Sequence, residues 1–266
     1  MFEGEKVLDT NTELLSHVKV ENNIWKIDAN GLYYKDLNSL LRTLSNNGAK
    51  RIEIHNVQGQ RYIGTDLDKE VQIDIYGTPG NDLGAFMSGP KLVVHGNVQD
   101  GCGNTMNTGQ IIIHGSAGDI TGYSMRGGSI FVRDDVGYRG GIHMKEYKNK
   151  KPRIVIGGIA QDFLGEYMAG GIILILGLTL PEGERCKARF VGTGMHGGVI
   201  YERGDLLEVC EDIRVLPTRQ RDMSLIDSLV REFCSYFHYK FDDIINVQFK
   251  KIIPKSTRPY GKLYSH

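Results

Sequence analysis

Three aspartates recur at positions where a repeating chain could bring their carboxylates together. Asp100 and Asp119 are separated by one sequence repeat, and Asp162 falls at the equivalent position two repeats later, with Tyr138 between them. Clustered carboxylates can bind a calcium ion, which prefers oxygen ligands. Aspartate is also a common turn residue, because its side chain accepts hydrogen bonds from nearby backbone N–H groups. Since only two of these acids fall in adjacent repeats, a turn-forming role is favoured over catalysis.

Two histidines form a second candidate site. His95 and His114 are also one repeat apart, and Arg133 follows them after the same interval. Neighbouring strands of a sheet lie about 4.8 Å apart, so two stacked imidazoles could share a metal ion. The repeat places no third ligand beside them, however, and Arg133 would repel a cation. We therefore expect no metal site here.

The four cysteines, Cys102, Cys186, Cys210 and Cys234, are widely separated and form no Cys-x-x-Cys pair. Structural zinc sites and iron–sulfur clusters need closely spaced thiolates, so we expect reduced thiols that serve as small apolar residues. No serine lies in the strained turn that a nucleophilic serine of an α/β-hydrolase occupies. The sequence predicts no catalytic, cofactor-binding or metal-binding residue in this chain.

A repeat of about 19 residues must position these side chains. The motif Gly-x-x-Met occurs six times, and a degenerate copy at Gly64–Leu67 precedes the series. The first four complete copies are evenly spaced at this period, and the later, longer spacings contain loop-like insertions within Lys145–Arg153 and Thr179–Arg189. The copies begin at Gly84, Gly103, Gly122, Gly141, Gly165 and Gly192.

Each repeat also contains one short run of β-branched residues, too short for a helix. These predicted strands are residues 73–77, 92–96, 111–115, 130–134, 154–158, 173–177 and 200–204. The period leaves no room for the helix of a βαβ unit, and a propeller blade needs about 40 residues. The sequence therefore predicts an all-β fold, a single-stranded right-handed parallel β-helix of about seven coils. Its methionines should point inward as a stacked ladder.

Short α-helical caps are expected at both ends, because the end coils would otherwise expose their core. The N-terminal helix is predicted at Asp36–Gly48, and the C-terminal helix at Asp222–Tyr239 with Asp222 as its N-cap. We divide the chain into an N-terminal cap and lead-in strand at 1–57, the β-helix at 58–204, and a C-terminal helix and tail at 205–266 that pack on the solenoid. The buried face of the first helix is formed by Leu37, Leu40, Leu41 and Leu44.

Along each strand the first and third residues should face the core, and the second should face outward. The outward residues form an apolar strip where a sheet open to water would be polar. Either the chain's own terminal segments or a partner protein must cover this strip. If the C-terminal helix caps the last coil, the strip should mediate a homo-oligomer or a heteromer. The strip consists of Val93, Ile112, Phe131, Val155 and Leu174.

Charge and hydropathy disfavour two classes of partner. The 32 basic and 32 acidic residues leave no net charge, so neither nucleic acid nor an anionic membrane is expected to bind. The longest apolar run, Ile172–Leu176, is far too short to cross a bilayer, and Met1–Glu21 lacks the apolar segment of a signal peptide. We expect a cytoplasmic protein.

Several glycine-rich segments together carry a family signature. They are GTPGNDLGAFMSG at 77–89, GNVQDGCGNTMNTG at 96–109, HGSAGDITGYSMRGG at 114–128, VGYRGGIHMKEY at 136–147, DFLGEYMAGG at 162–171 and GTGMHGG at 192–198. They closely resemble the C-terminal GXGXG domain of the glutamate synthase large (alpha) subunit, here in a freestanding form. The match extends from RYIGTDL at 61–67 to KIIPKSTRPYG at 251–261. The repeat also resembles that of one subunit of formylmethanofuran dehydrogenase.

The resemblance implies a structural, non-catalytic subunit of a glutamate synthase-type complex. In that family glutamine is hydrolysed at an N-terminal cysteine, and the ammonia aminates 2-oxoglutarate in a domain with FMN and an iron–sulfur cluster, while the β-helix holds the parts together. This chain begins Met1-Phe2 and has no cluster-type cysteine run. The expected partners are therefore an FMN and iron–sulfur subunit and a glutamine amidotransferase subunit, with no cofactor in this chain.

Two alternatives stay open. One is a scaffold subunit of another redox complex resembling formylmethanofuran dehydrogenase, and the other is an independent carbohydrate-active β-helix. The N-terminal cap and the RPYG segment at 258–261 favour the glutamate synthase type over the first alternative. The lack of a signal peptide, and of a groove lined by aromatic ladders, counts against the second.

Overall fold

The computed structural model describes residues 12–181, 184, 186, 188–204 and 210–257, which leaves the RPYG segment at 258–261 outside the described residues. The helices are α1 (Thr12–Leu15), α2 (Tyr34–Asn46), α3 (Gln220–Phe237) and α4 (Phe241–Ile245). The strands are β1 (Val18–Glu21), β2 (Ile24–Asp28), β3 (Arg51–Gln58), β4 (Gln72–Thr78), β5 (Ser88–Val94), β6 (Thr108–Ile113), β7 (Ser129–Val132), β8 (Arg153–Ile156), β9 (Ala169–Ile175), β10 (Gly197–Arg203), β11 (Ile213–Pro217) and β12 (Phe249–Pro254).

The strands form one long sheet that confirms the predicted β-helix. Neighbours from β2 to β10 pair in parallel, whereas β1, β12 and β11 pair antiparallel at the two ends. Leu92 pairs with Ile111, which pairs with Ile130, so each turn returns the chain to the same point one sequence repeat later. From β4 to β10 the chain makes about six turns, slightly fewer than the seven coils predicted. The degenerate copy at Gly64 lies in the connection before β4.

The Gly-x-x-Met motif builds the inside of the solenoid as predicted. Met106 and Met125 are fully buried, and even the last methionine of the series, Met195, is only 3% exposed. The glycine of the motif is needed for two reasons. Gly122 has φ +73°, in the left-handed region, and a Cβ there would overlap Cδ1 of Ile154. The motif therefore couples the corner of one turn to the core side chains of the next.

The N-terminal cap is confirmed. Helix α2 begins at Tyr34 and ends at Asn46, two residues earlier at each end than predicted, and it connects β2 to the parallel strand β3. Its leucines Leu37, Leu40 and Leu41 are fully buried in the core of the solenoid. The apolar face of the helix thus closes the first turns against water.

The C-terminal segment differs from the expectation in one respect. Helix α3 lies over the outer face of the sheet, and its Leu229 and Phe233 are buried there. The core at the last turn is extended by β12 and β11, whose Ile252 and Ile213 join the interior cluster. The apolar strip is therefore covered by the chain itself, one of the two predicted alternatives, and the condition under which we expected assembly through this strip is not met.

Candidate functional site

The aspartates of the first predicted ladder are hydrogen-bonded to the backbone of the next turn. Asp100 Oδ1 accepts the amide of Asp119 at 2.9 Å, and Asp119 Oδ1 accepts the amide of Tyr138 at 2.8 Å. Asp162 Oδ1 accepts the amide of Arg189 at 2.8 Å, and its Oδ2 accepts the guanidinium of the same residue at 3.1 Å. At a corner, no neighbouring strand supplies a carbonyl oxygen for these amide N–H groups. The aspartate carboxylates accept their hydrogen bonds instead. The ladder therefore connects adjacent turns by hydrogen bonds.

The electrostatics of the ladder agree with this structural role. The backbone amide of Arg189, followed by its guanidinium, lowers the pKa of the Asp162 carboxyl. A carboxylate held ionised by its own chain is a poor general acid near neutral pH. Asp135, which the sequence did not single out, makes the same kind of contact as the ladder aspartates. Its Oδ1 accepts hydrogen bonds from the amide of Ile159 at 2.8 Å and from the hydroxyl of Thr179 at 2.7 Å.

The predicted histidine ladder is longer than the sequence suggested. His95 and His114 stack with ring centroids 5.4 Å apart, close to the predicted distance. Tyr76 stacks on His95 at 4.4 Å, and His55 stacks on Tyr76 at 4.6 Å. The column ends on the edge of the Phe237 ring, 5.1 Å from His114. His55 and Tyr76 could have been found from the sequence, because each stands at the same position after a buried strand as His95 and His114.

Two carboxylates on the outer face pair with this column. Nε2 of His95 lies 3.4 Å from Asp74 Oδ1, and Nε2 of His55 lies 3.3 Å from Glu53 Oε2. Asp74 also accepts hydrogen bonds from Arg51 at 3.2 Å and from Gln72 at 3.0 Å. These contacts satisfy a carboxylate whose side chain is only 5% exposed, and sequence reasoning had assigned it no role.

The end of the column at His114 is the least polar. Burial, then the neighbouring His95 and Arg133, lowers the pKa of His114 below its ordinary value. Arg133 itself binds Asp134 with two hydrogen bonds of 2.9 and 2.7 Å, so it turns toward a carboxylate. Within the described part of the chain, no three His, Cys, Asp or Glu residues are arranged to hold a metal ion.

The cysteines are reduced and separate. Cys102 and Cys186 are buried in the core, while Cys210 and Cys234 are partly exposed. Burial raises the pKa of the Cys102 thiol to about 12, so it is a packing residue with little thiolate character. None of the helices in the described ranges is long and apolar enough to cross a membrane.

Helix α3 is fixed on the outer face by apolar packing and by polar contacts at both ends. Near its C-terminus, Tyr236 packs edge-on against Phe131 at 5.2 Å, and Gln110 donates a hydrogen bond to Glu232 at 2.8 Å. In the same part of the helix, a Cβ at Gly157 would overlap the backbone oxygen of Arg133 and lie 2.6 Å from the Phe233 ring, so this position requires glycine.

The N-terminal anchor of α3 is a buried carboxylate. Asp222 accepts hydrogen bonds from Lys251 at 2.6 Å, from the Tyr201 hydroxyl at 2.7 Å and from the Arg219 amide at 2.9 Å. Burial alone would raise the pKa of Asp222, but these hydrogen bonds outweigh it and lower the pKa to about 2. Asp222 therefore closes a capping box at the third helical position, and it is not the N-cap that the sequence predicted.

Comparisons with known proteins agree with this architecture. The GXGXG motif family matches residues 41–259. The chain is 51% identical over 251 residues to the uncharacterized protein MJ1350 of Methanocaldococcus jannaschii, a match that covers 90% of this chain and 95% of that protein.

A solved structure shows the same fold at low sequence identity. It is a chain of the formyltransferase/hydrolase complex (FhcABCD) from Methylorubrum extorquens in complex with methylofuran, with a TM-score of 0.60 and 16% identity. The likeness covers 86% of this chain and 95% of that chain. The extent of the family match and the close archaeal relative together show that this chain belongs to the GXGXG motif family.

Proposed function

We propose that this chain is a structural, non-catalytic subunit of a redox complex of the glutamate synthase type. Partner subunits would carry the FMN, the iron–sulfur cluster and the glutaminase. The observation that carries the proposal is that the aspartates and histidines considered as candidate site residues make structural contacts within the solenoid. Asp100 and Asp119 accept amides of the next turn, and His95 stacks between Tyr76 and His114, so these groups hold the solenoid together.

The build of the solenoid suits such a role. One sheet runs through every turn, and the inward residues of each strand are fully buried, as with Ile111 and Ile130. Stacked turns of this kind move little relative to one another, because the side chains between them are close-packed. A rigid rod with its own outer cover can hold separate catalytic subunits at fixed distances.

A second candidate is a structural subunit of another redox or one-carbon complex. The fold likeness to a chain of a formyltransferase/hydrolase complex favours it, because that likeness covers 86% of this chain. A fold alone does not determine function, so the motif resemblance to the glutamate synthase domain keeps the first candidate ahead.

The test is to tag the full-length chain in its own cells and to purify it with its bound partners. We expect the assembly to form glutamate from 2-oxoglutarate in a glutamine-dependent reaction and to show flavin absorbance. The same chain expressed alone should bind no FMN and hydrolyse no glutamine. Stoichiometric flavin or glutaminase activity in the isolated chain would overturn the proposal. Formyl transfer by the assembly, without glutamate formation, would select the second candidate.

A further inference from the structure

One corner of the solenoid places large side chains where the backbone is left-handed. Arg139, His143, Phe163, Tyr167 and Phe190 have φ values between +51° and +65°. They lie two residues before or after a motif glycine, in the last turns of the solenoid. Glycine occupies the equivalent position at 101 and 194, whereas earlier turns carry left-handed side chains there as well, such as Tyr62, Phe86 and Ile120, so the left-handed corner is a general feature of the repeat. The last turns differ from the earlier ones because aromatic or cationic side chains occupy this corner in three successive turns.

Packing does not explain most of these side chains, because all except the half-buried Phe163 are exposed. Tyr167 is 42% exposed and Phe190 is 49% exposed. The rings form two short columns: His143 stacks on Tyr167 with centroids 5.3 Å apart, and Phe163 stacks on Phe190 at 5.0 Å. The guanidinium of Arg139 lies 5.0 Å from the Phe163 ring. We call this surface the aromatic corner; it consists of Tyr123, Arg139, His143, Phe163, Tyr167 and Phe190.

The aromatic corner is suited to packing against protein side chains. Its paired rings are nearly parallel, at 13° and 14°, so their facing sides are already covered. Only edges and outer sides are free, which disfavours the base stacking that single-stranded nucleic acids use and the open ring platforms of sugar sites. The arginines in and beside the corner are paired, because Arg139 binds Glu166 at 2.9 Å and Arg189 binds Asp162 at 3.1 Å.

A strongly basic loop adjoins the aromatic corner. Residues 145–153 hold four lysines and one arginine against a single acid, Glu146, although the whole chain has no net charge. The loop begins two residues after His143, and Glu146 Oε1 accepts the amide of Gly171, four residues after Tyr167, at 3.2 Å. Nε of the neighbouring Arg126 is buried and has no hydrogen-bond partner in the described part of the chain. The lysines are exposed, and the ion pair of Lys151 with Glu146 is long at 3.8 Å.

We propose that the aromatic corner and the basic loop form one docking surface for an acidic protein subunit. This inference rests on the proposed function and names the surface and the charge of the partner. Tyrosine and arginine dominate the energetics of protein interfaces, and opposite charge steers partners together and fixes their register. The excess positive charge of the loop calls for carboxylates on the partner, and the aromatic edges call for an apolar patch beside them.

Cross-linking tests the chemistry of the partner directly. The tagged assembly, purified from its own cells, is treated with a carbodiimide, which joins a lysine amine to a carboxylate at zero length. We expect Lys148, Lys150 and Lys151 to be joined to Asp or Glu residues of another subunit. The exposed lysines Lys19, Lys35 and Lys50, on the N-terminal cap, serve as internal controls and should form no such links.

Matched variants test the energetics. The triple change K148E/K150E/K151E should reduce the retained partner at least tenfold, while K19E/K35E/K50E should leave it unchanged. Tyr167→Ser should weaken retention, while Phe86→Ser, at a ring that is 49% exposed on an earlier turn, should not. Thermal melting of each isolated chain checks that it remains folded, which exposed positions should allow.

The outcomes separate this inference from the proposed function. If wild-type chain retains no stoichiometric partner, both are overturned. If it retains a partner that neither K148E/K150E/K151E nor Tyr167→Ser releases, only the docking surface is overturned. The same holds if the cross-links lie elsewhere. Links between two copies of this chain in a mixed-isotope sample would show self-association, and release by nuclease would show nucleic acid; either result overturns the acidic subunit.

Discussion

The outer face of the sheet has two halves that share one backbone geometry and differ in what covers them. A single column of outward residues runs in register from Lys26, Glu53 and Asp74 on the early strands to the apolar strip on the later ones. Helix α3 covers the strip, where Phe131, Val155 and Leu174 are fully buried. The change from charged to apolar residues occurs between Asp74 and Val93, which pair directly. Side chains, and not the fold, therefore decide where the helix packs.

The polar half satisfies itself through contacts along the sheet. Asp74 binds Gln72 on its own strand, Arg51 on the preceding strand and His95, which directly follows β5. Such cross-strand pairs stabilise a sheet without a second layer. The apolar half has no comparable option, because apolar surface gains free energy only when it is removed from water. It therefore requires a covering element, and α3 supplies it.

The largest expected effect follows from removing the cover. A chain that ends at Pro217 lacks α3, α4 and β12 and exposes the apolar strip. We expect it to aggregate, because a contiguous exposed apolar strip drives association. The soluble fraction after expression measures the effect. In the full-length chain, Leu229→Ser with Phe233→Ser weakens only the helix contact; if this variant stays fully stable while the truncated chain aggregates, the loss of β12 is responsible.

An introduced charge should destabilise the apolar half of the outer face much more than the polar half. Phe131→Glu places a carboxylate under α3, at a site that is fully buried. The free energy of unfolding should fall by about 3–5 kcal/mol, the usual cost of an unpaired buried charge. Gln58→Glu, at an exposed position on β3, is the control and should change it little. Equal urea midpoints for the two variants would show that the strip is not buried in solution.

Asp222, which anchors the N-terminus of α3, should make the free energy of unfolding depend on pH in the acid range. Asp222 has a pKa of about 2 in the folded chain, against an ordinary value of 3.8. Because the folded-state pKa is depressed, the stabilisation is fully present above 3.8 and is lost as the pH falls toward 2. The contribution is about 2 kcal/mol. Asp222→Asn should remove this part of the slope between pH 4 and pH 2 in urea unfolding, and an unchanged slope would contradict the assignment.

The smallest effect is expected at His114, where the ring column meets helix α3. His114 is half-buried and touches Phe237 only at a ring edge. His114→Ala should therefore lower the free energy of unfolding by about 0.5 kcal/mol or less. Met125→Ala, inside the same part of the solenoid, should cost about 2–5 kcal/mol through lost burial and a cavity. A larger loss for His114→Ala would mean that the histidine column carries the stability of the sheet.

Much of the fold could be predicted from the repeat because its physics is local. The spacing of Gly84, Gly103 and Gly122 defined the turn, and strand alternation separated inward Ile111 from outward Ile112. Local chemistry also predicted that Asp100 would serve as a turn residue, since its hydrogen bond reaches only the next coil. The strand ends were less accurate, because β6 ends at Ile113 where the backbone leaves the ladder for the corner.

What the sequence by itself determined is the repeating unit, its inward methionines, and the need for something to cover the apolar strip. Only the tertiary structure decided what covers it. The contact between Gln110 and Glu232 joins residues 122 positions apart, and no periodic pattern reports such a pairing. Likewise, Asp222 meets Lys251 and Tyr201 only after the sheet has formed. Periodicity encodes which face of an element is apolar, whereas the choice of its partner depends on the shape and charge of all available surfaces together.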